Sequence, residues 1–238
     1  SLSPERFFAN EFAPTVIHAV CQARRRETAF GLRTGDSPWL APCSWLVIRS
    51  TVRPAIMNTP IPSINTERLI LRELTPDDTS ALAQILGDAD VMRHSVRGVL
   101  SEQATREFID GCRLSYRQHG FGPWAVVDRS TSTLAGFCGL NAERVDGADE
   151  VELGYRLASA FWGRGLGTEA ARCALQAGFA GAGVDSVIAI VQPANVASVR
   201  VIQKVGFQGF VHSQYHRQGV RIYRMSAQQW SSSNPSCA

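Results

Sequence analysis

The chain has 238 residues, 45% of them hydrophobic, and a formal charge of +3. That is enough apolar material for one sizeable core, and too little net charge to imply a nucleic-acid or membrane partner. The six cysteines (Cys21, Cys43, Cys112, Cys138, Cys173 and Cys237) form no Cys-x-x-Cys pair and read as scattered reduced thiols of a cytoplasmic protein.

Residues 1–57 show no sustained helical or strand period. Prolines recur there, and the most apolar stretch, Trp39 to Ile48, is broken by Pro42 and lies too late for a signal peptide. The expectation is an N-terminal extension dispensable for catalysis, with a structured arm on the domain or on a partner subunit as the alternative. A domain over 58–230 follows, then a tail over 231–238. Within the domain, Arg68 to Glu73 alternates as a strand. Thr75-Pro-Asp-Asp78 is a helix start that continues through Ala81 to Leu86, and Ser101 caps a second helix to Gln118. Trp124 to Asp128, Thr133 to Asn141 and Glu150 to Leu157 read as a meander of three strands.

Next comes Phe161-Trp-Gly-Arg-Gly-Leu-Gly-Thr-Glu-Ala170, a glycine-rich loop running into a helix that extends to about Ala180. Closely spaced glycines at a helix start make an anion site, because the backbone can approach the ligand and the first N–H groups point at it. Spacing excludes two familiar phosphate loops. No Lys follows the glycines, as a nucleotide P-loop requires, and Thr168 stands where a dinucleotide fingerprint needs its third glycine. Val187 to Pro193 then reads as a buried strand. Asn195 to Lys204 has helical spacing with Asn195 as N-cap, and Gly206-Phe207 closes it. Phe210 to Tyr215 and Val220 to Met225 read as a hairpin turning at Gln218-Gly219. His212 and His216 fall in that hairpin, with no metal-site motif beside them, and no metal is expected.

The loop Trp162-Gly-Arg-Gly165-Leu-Gly167, Asn195-x-x-Ser198 and Lys204-x-Gly206-Phe207, in that order, resemble the GNAT superfamily of N-acetyltransferases. Trp162 in place of the usual Gln or Arg, and Asn65 to Arg72 as a first strand, are similar to the branch holding bacterial ribosomal-protein N-terminal acetyltransferases. The resemblance covers roughly residues 65–227. It implies an α/β fold, a mixed, strongly twisted central sheet flanked by helices, whose two splayed parallel strands admit acetyl-CoA as co-substrate. It further implies an amine acceptor, no nucleic-acid or membrane partner, and a monomer or homodimer.

The same resemblance assigns roles. The backbone of Trp162, Gly163, Arg164, Gly165, Leu166, Gly167 and Thr168 would cradle the pyrophosphate, with the Arg164 side chain either adding charge or solvated. Main-chain groups of Tyr155, Arg156 and Leu157 would bond the pantetheine arm as if it were an added strand. Asn195 would bond the pantetheine amide as well as cap its helix. Ser198 would hydrogen-bond the departing thiolate, or be a plain helix-surface hydroxyl. Glu152 is the candidate base; Glu150, Glu152 and Gly154 share one face, so a paired structural acid is the other reading. Small-molecule amines as acceptors, or a non-catalytic acyl-CoA-binding module, are the competing functions.

Overall fold

The computed structural model describes residues 61–234; the expected extension over 1–57 lies outside them. The element order is β1 (Ile64–Asn65), β2 (Leu69–Glu73), a 3-10 turn (Pro76–Asp78), α1 (Thr79–Leu86), α2 (Ala89–Met92), α3 (Glu102–His119), β3 (Pro123–Asp128), β4 (Thr133–Val145) and β5 (Ala148–Leu157). After the loop come α4 (Leu166–Gln176), β6 (Ser186–Val191), α5 (Val196–Lys204), β7 (Val211–Tyr215), β8 (Gln218–Ser226) and α6 (Ala227–Ser233).

Local chemistry explains most of these boundaries. Ser101 begins α3 by accepting from the Ala104 N–H, and Gly120 ends it in a left-handed conformation. Asp146 and Gly147, both at positive φ, form the tight turn that lets β4 and β5 run ladder-paired from Val145↔Ala148 to Gly136↔Leu157. The β7–β8 hairpin turns at His216 and Arg217, not at Gln218-Gly219. Both adopt positive φ (48° and 65°), and Gly219 sits inside the strand opposite Gln214. Neither turn residue is a glycine or asparagine, so composition pointed to the wrong pair. Two helices were not anticipated. The α2 turn is capped by Asp88, which accepts from Asp90 N–H at 2.8 Å, and α6 opens on a Ser226/Gln229 capping box and runs to Ser233.

The eight strands form one sheet in the order β1-β2-β3-β4-β5-β6-β8-β7, antiparallel throughout except where β5 meets β6. One face packs Leu166, Ala170, Ala174, Leu175, Ile202 and Trp230 of α4, α5 and α6 on Trp124, Leu140, Leu153, Val187 and Tyr223. The other face is divided. Over β2 to β4 it meets Leu82, Ile85, Phe108 and Ile109 of α1 and α3, while over β6 to β8 it carries the smaller cluster Val145, Ile188, Val220 and Ile222. Between these two apolar patches runs a polar strip: Asn141 and Glu143 of β4, then Glu152, Gly154 and Arg156 of β5. Period-2 alternation puts these residues on the same face as Phe137 and Val145. Charged side chains pointing into a sheet face flanked by core mark a working surface.

Among the described residues, no helix is long and apolar enough to cross a membrane. The buried Asp78 shows what holds the first turn. Burial opposes its charge, but Arg72 binds both its carboxylate oxygens (2.7 and 2.8 Å) and the Thr75 N–H and hydroxyl add two more bonds, holding Asp78 below its ordinary value. Asp78→Ala removes four acceptor interactions at once and is expected to cost about 2–4 kcal/mol in urea denaturation.

Candidate active site

The site forms where β5 and β6 part. These parallel neighbours share one register pair, Glu152↔Ile188, so beyond Glu152 the β5 edge runs free of β6 through Leu157. That splay is what the resemblance implied. Of the three residues expected to offer main-chain groups there, Tyr155 and Leu157 have their carbonyls bonded by side-chain donors. The Arg156 guanidinium donates to Tyr155 O (2.8 Å), and the Trp162 indole N–H donates to Leu157 O (2.7 Å). The Trp162 bond also ties the glycine loop back to the strand that feeds it.

At the end of the splay the loop turns sharply. Gly163 and Gly165 adopt φ of 72° and 77°, and Gly165 caps α4. Only glycine takes this left-handed backbone without strain. Among the described residues, the N–H groups of Gly163, Arg164, Gly165, Leu166 and Gly167 meet no backbone acceptor, whereas Thr168 and Glu169 both donate to Gly165 O. These free donors sit at the positive end of an eleven-residue helix. Gly167 serves differently: a Cβ there would lie 3.7 Å from Leu157 and 3.8 Å from Val201, so its role is close packing of α4 on β5 and α5.

Beside the loop lies an open groove of about 570 Å³, lined by Arg68, Gly165, Thr168, Arg172, Cys173 and Lys204 among others. Arg68 is anchored there through Glu169 (2.5 Å) and Arg164 O (2.8 Å), which braces the loop against β2. Arg164 points elsewhere. Its guanidinium pairs with Asp128 at 3.2 Å and lies over the Phe161 ring at 5.5 Å. Asp128, bonded by the Ser130 hydroxyl, stays below the usual carboxylate range. The loop thus offers backbone donors at its tip and cationic side chains at its flank, a fit for a polyphosphate chain.

Across the splay, Asn195 Oδ1 accepts from Ser198 N–H at 3.1 Å, so it is the cap of α5; its Nδ2 has no partner among the described residues. Ser198 is partly buried on the first turn of α5. The Tyr155 phenol reaches across from β5 to the Ser198 carbonyl at 3.4 Å, and burial raises its pKa to about 12. From sequence Tyr155 reads as a packing or cofactor-side residue; the structure adds this hydroxyl contact, for which its place on the helix-facing side of β5 is the available signal.

Glu152 lies on the opposite face, in the polar strip. Burial first, then the nearby Glu143 charge, push its pKa to about 7, against the opposing pull of Arg156 and Arg97. A carboxylate that titrates there is fit to take a proton from an amine. In the loop after α2, His94 Nδ1 meets Gln192 Oε1 at 3.1 Å, and Gln192 in turn bonds Gln218 of β8. The Gly120–Pro123 segment is held by Ser115 Oγ on Phe121 O (2.8 Å) and by the Tyr116 hydroxyl on Pro123 O. His119 stacks on Phe121, and Phe121 and Trp124 are core residues. His212 packs on Phe210, and His216 forms the hairpin turn.

A mixed sheet splayed at one parallel pair, with a helix-capping glycine loop at the end of the splay, defines an α/β acyl-group transferase. The model of the Acetyltransferase (GNAT) domain matches residues 68–208, and the chain belongs to that family of N-acetyltransferases. It is 32% identical to the uncharacterized protein YkkB of Bacillus subtilis over 142 residues, 59% of this chain and 82% of the relative. With the uncharacterized N-acetyltransferase YoaA of the same organism it shares 28% identity over 148 residues, 62% of this chain and 83% of that one. The crystal structure of a GNAT-family acetyltransferase from Bacillus anthracis aligns with a TM-score of 0.59 at 25% identity, covering 70% of this chain and 99% of that one. The mixed eight-stranded sheet and its flanking helices are those of GNAT acetyltransferase structures.

Proposed function

We propose that this chain transfers the acetyl group of acetyl-CoA to a primary amine by direct attack of the amine on the thioester. The observation that carries the reading is the placement of Glu152. It stands on β5 at the register pair where β5 and β6 separate, within the polar strip on the face opposite α4 and α5. Acetyl-CoA supplies the activated acyl group. The N–H groups from Gly163 to Gly167 hold its pyrophosphate, and the edge of β5 with Asn195 Nδ2 holds the pantetheine arm.

Glu152, from the acceptor side, accepts the ammonium proton so that the amine nitrogen has a lone pair to attack with. Ser198, on the first turn of α5, hydrogen-bonds the sulfur as it leaves. Holding both reactants in register is worth several kcal/mol of the barrier, up to ~7–11 in favourable cases. Residues 1–57 have no part in this assignment, and a chain starting at Met57 should transfer acetyl groups at the same rate as the full chain.

The test is a thiol-release assay with acetyl-CoA against peptides, polyamines and aminoglycosides. CoA binding by calorimetry without transfer to any of these amines would replace the enzyme reading with a binding module. Ser198→Ala should lower kcat about 10-fold or more with little change in the acetyl-CoA KM, as expected of a group that acts on the leaving sulfur. Equal kcat in the variant would make Ser198 a surface hydroxyl of α5.

A further inference from the structure

The polar strip holds more carboxylate than Glu152 alone explains. On β4, Glu143 shares the inward face with Asn141 and Val145, and the register Asn141↔Glu152, Glu143↔Glu150 places it diagonal to Glu152. Three acids therefore crowd one patch, and they are not equivalent. Glu150 is neutralised by Arg224 of β8, which binds both its oxygens at 2.5 and 2.8 Å. Glu143 instead has the Tyr215 phenol of β7 against it, and burial first, then the Glu143 charge, keeps that phenol protonated. Tyr215 packs on the Val145, Ile188, Val220 and Ile222 cluster, so it closes the strip on the low-dielectric side.

The remaining charges facing this patch can be named element by element. Arg156 lies on the same strand as Glu152, and Arg97 approaches from the loop after α2. Neighbouring β6 presents only Ile188 at this level, and His216 stands beside Tyr215 at the hairpin turn. The Glu143 charge, diagonal to Glu152, raises the affinity of Glu152 for a proton.

We propose that Glu143 is a positioning residue for Glu152: the two form a carboxyl pair, closed by Tyr215, that takes up a single proton from the acceptor ammonium. The N–H bond of the ammonium breaks, an O–H bond forms on Glu152, and the pair passes from two negative charges to one. Glu143 does not touch the acceptor nitrogen; its charge makes Glu152 the stronger base. This deepens the reading of Glu152 as the base and rests on it for its catalytic meaning. The carboxyl pair itself stands or falls on its own titration.

The experiment measures that titration directly. Carbon-13 NMR of chain labelled at the glutamate carboxyl carbon, with Glu152→Gln to assign the resonance, is followed from pH 4 to 9 in wild type, Glu143→Gln and Glu143→Asp. In Glu143→Gln the Glu152 titration should move down by about one pH unit or more, and Glu143→Asp should restore most of it. The acid limb of kcat/KM should follow the same shift, kcat should fall about tenfold, and the acetyl-CoA KM should stay put. A Glu152 titration unchanged by Glu143→Gln, in a variant whose circular dichroism matches wild type, would overturn the pair. A titration that shifts as expected while no amine is acetylated would uphold the pair and sink only the assignment of Glu152 as catalytic base.

Discussion

Glu152→Gln is expected to lower kcat by about 10²–10⁴-fold, the range general-base removal typically costs, while acetyl-CoA binding measured by calorimetry stays within about twofold. The separation follows from the sheet. Glu152 belongs to the strip on one face, and the glycine loop and α5 belong to the other side of the splay. Glutamine keeps the volume and hydrogen-bonding reach but accepts no proton.

The same variant should also change stability with a definite sign. Folding raises the Glu152 pKa from its ordinary 4.5 to about 7, so the folded chain holds this proton more tightly than the unfolded chain. The contribution favours folding below about pH 4.5 and is lost as pH rises through about 7. Above that, wild type carries a poorly solvated charge that glutamine lacks. Urea melts should therefore show Glu152→Gln more stable than wild type by about 1–3 kcal/mol at pH 8, and the gap should close toward pH 4. A gap independent of pH would mean that Glu152 is ordinarily solvated. In that case its role as base would fail with it.

The second large effect concerns Gly165. Its φ of 77° is forbidden ground for a β-branched side chain, though the space around a Cβ is open, with only Arg68 Nη2 at 3.8 Å. Gly165→Val would strain the loop by roughly 1–2 kcal/mol and would tilt the first N–H groups of α4 away from their common focus. Acetyl-CoA affinity should fall at least about tenfold, with kcat at saturating donor much less affected. Gly167 makes the internal control. Its backbone is helical and its Cβ contacts would be ordinary ones, so Gly167→Ala should bind the donor nearly as wild type does, whereas Gly167→Leu should wedge α4 off Leu157 and Val201. Full affinity in Gly165→Val would dismiss the loop as the phosphate cradle.

Much of the glycine-loop side of the candidate site was legible in the sequence because it is written in local chemistry. Gly163, Gly165, Asn195 and Gly206 each answer a backbone demand within a few residues, and local demands leave a pattern a reader can find. Around Glu152 the sequence named that residue and not its surroundings. Glu143 and Glu152 are nine positions apart and meet only through the β4–β5 register, which depends on the Asp146-Gly147 turn. Tyr215 comes from the far edge of the sheet, and Arg97 from a loop with no periodicity. The hairpin turn at His216 and Arg217 escaped for a related reason: tertiary pairing imposed positive φ on residues that do not advertise it. Arg164 stayed open at the sequence level because nothing local to it announces Asp128, thirty-six residues earlier.

The single register pair between β5 and β6 also bears on how the molecule comes apart. Backbone bonding divides the sheet into β1–β5 and β6–β8, which are joined by the helices packed on the first face and, on the other, by the Val145–Ile188 cluster and the Glu150–Arg224 pair. Such a seam is a natural boundary between cooperative units, so amides along β6 and the free edge of β5 should exchange with deuterium through sub-global opening well before the ladder-paired centre of β4 does. A donor held as proposed would span the seam, bind only the closed arrangement and be linked to its stability. At 100 times Kd it would add about 2.7 kcal/mol. The co-substrate would then act as a removable cross-brace, and protection of the two half-sheets should converge as it saturates.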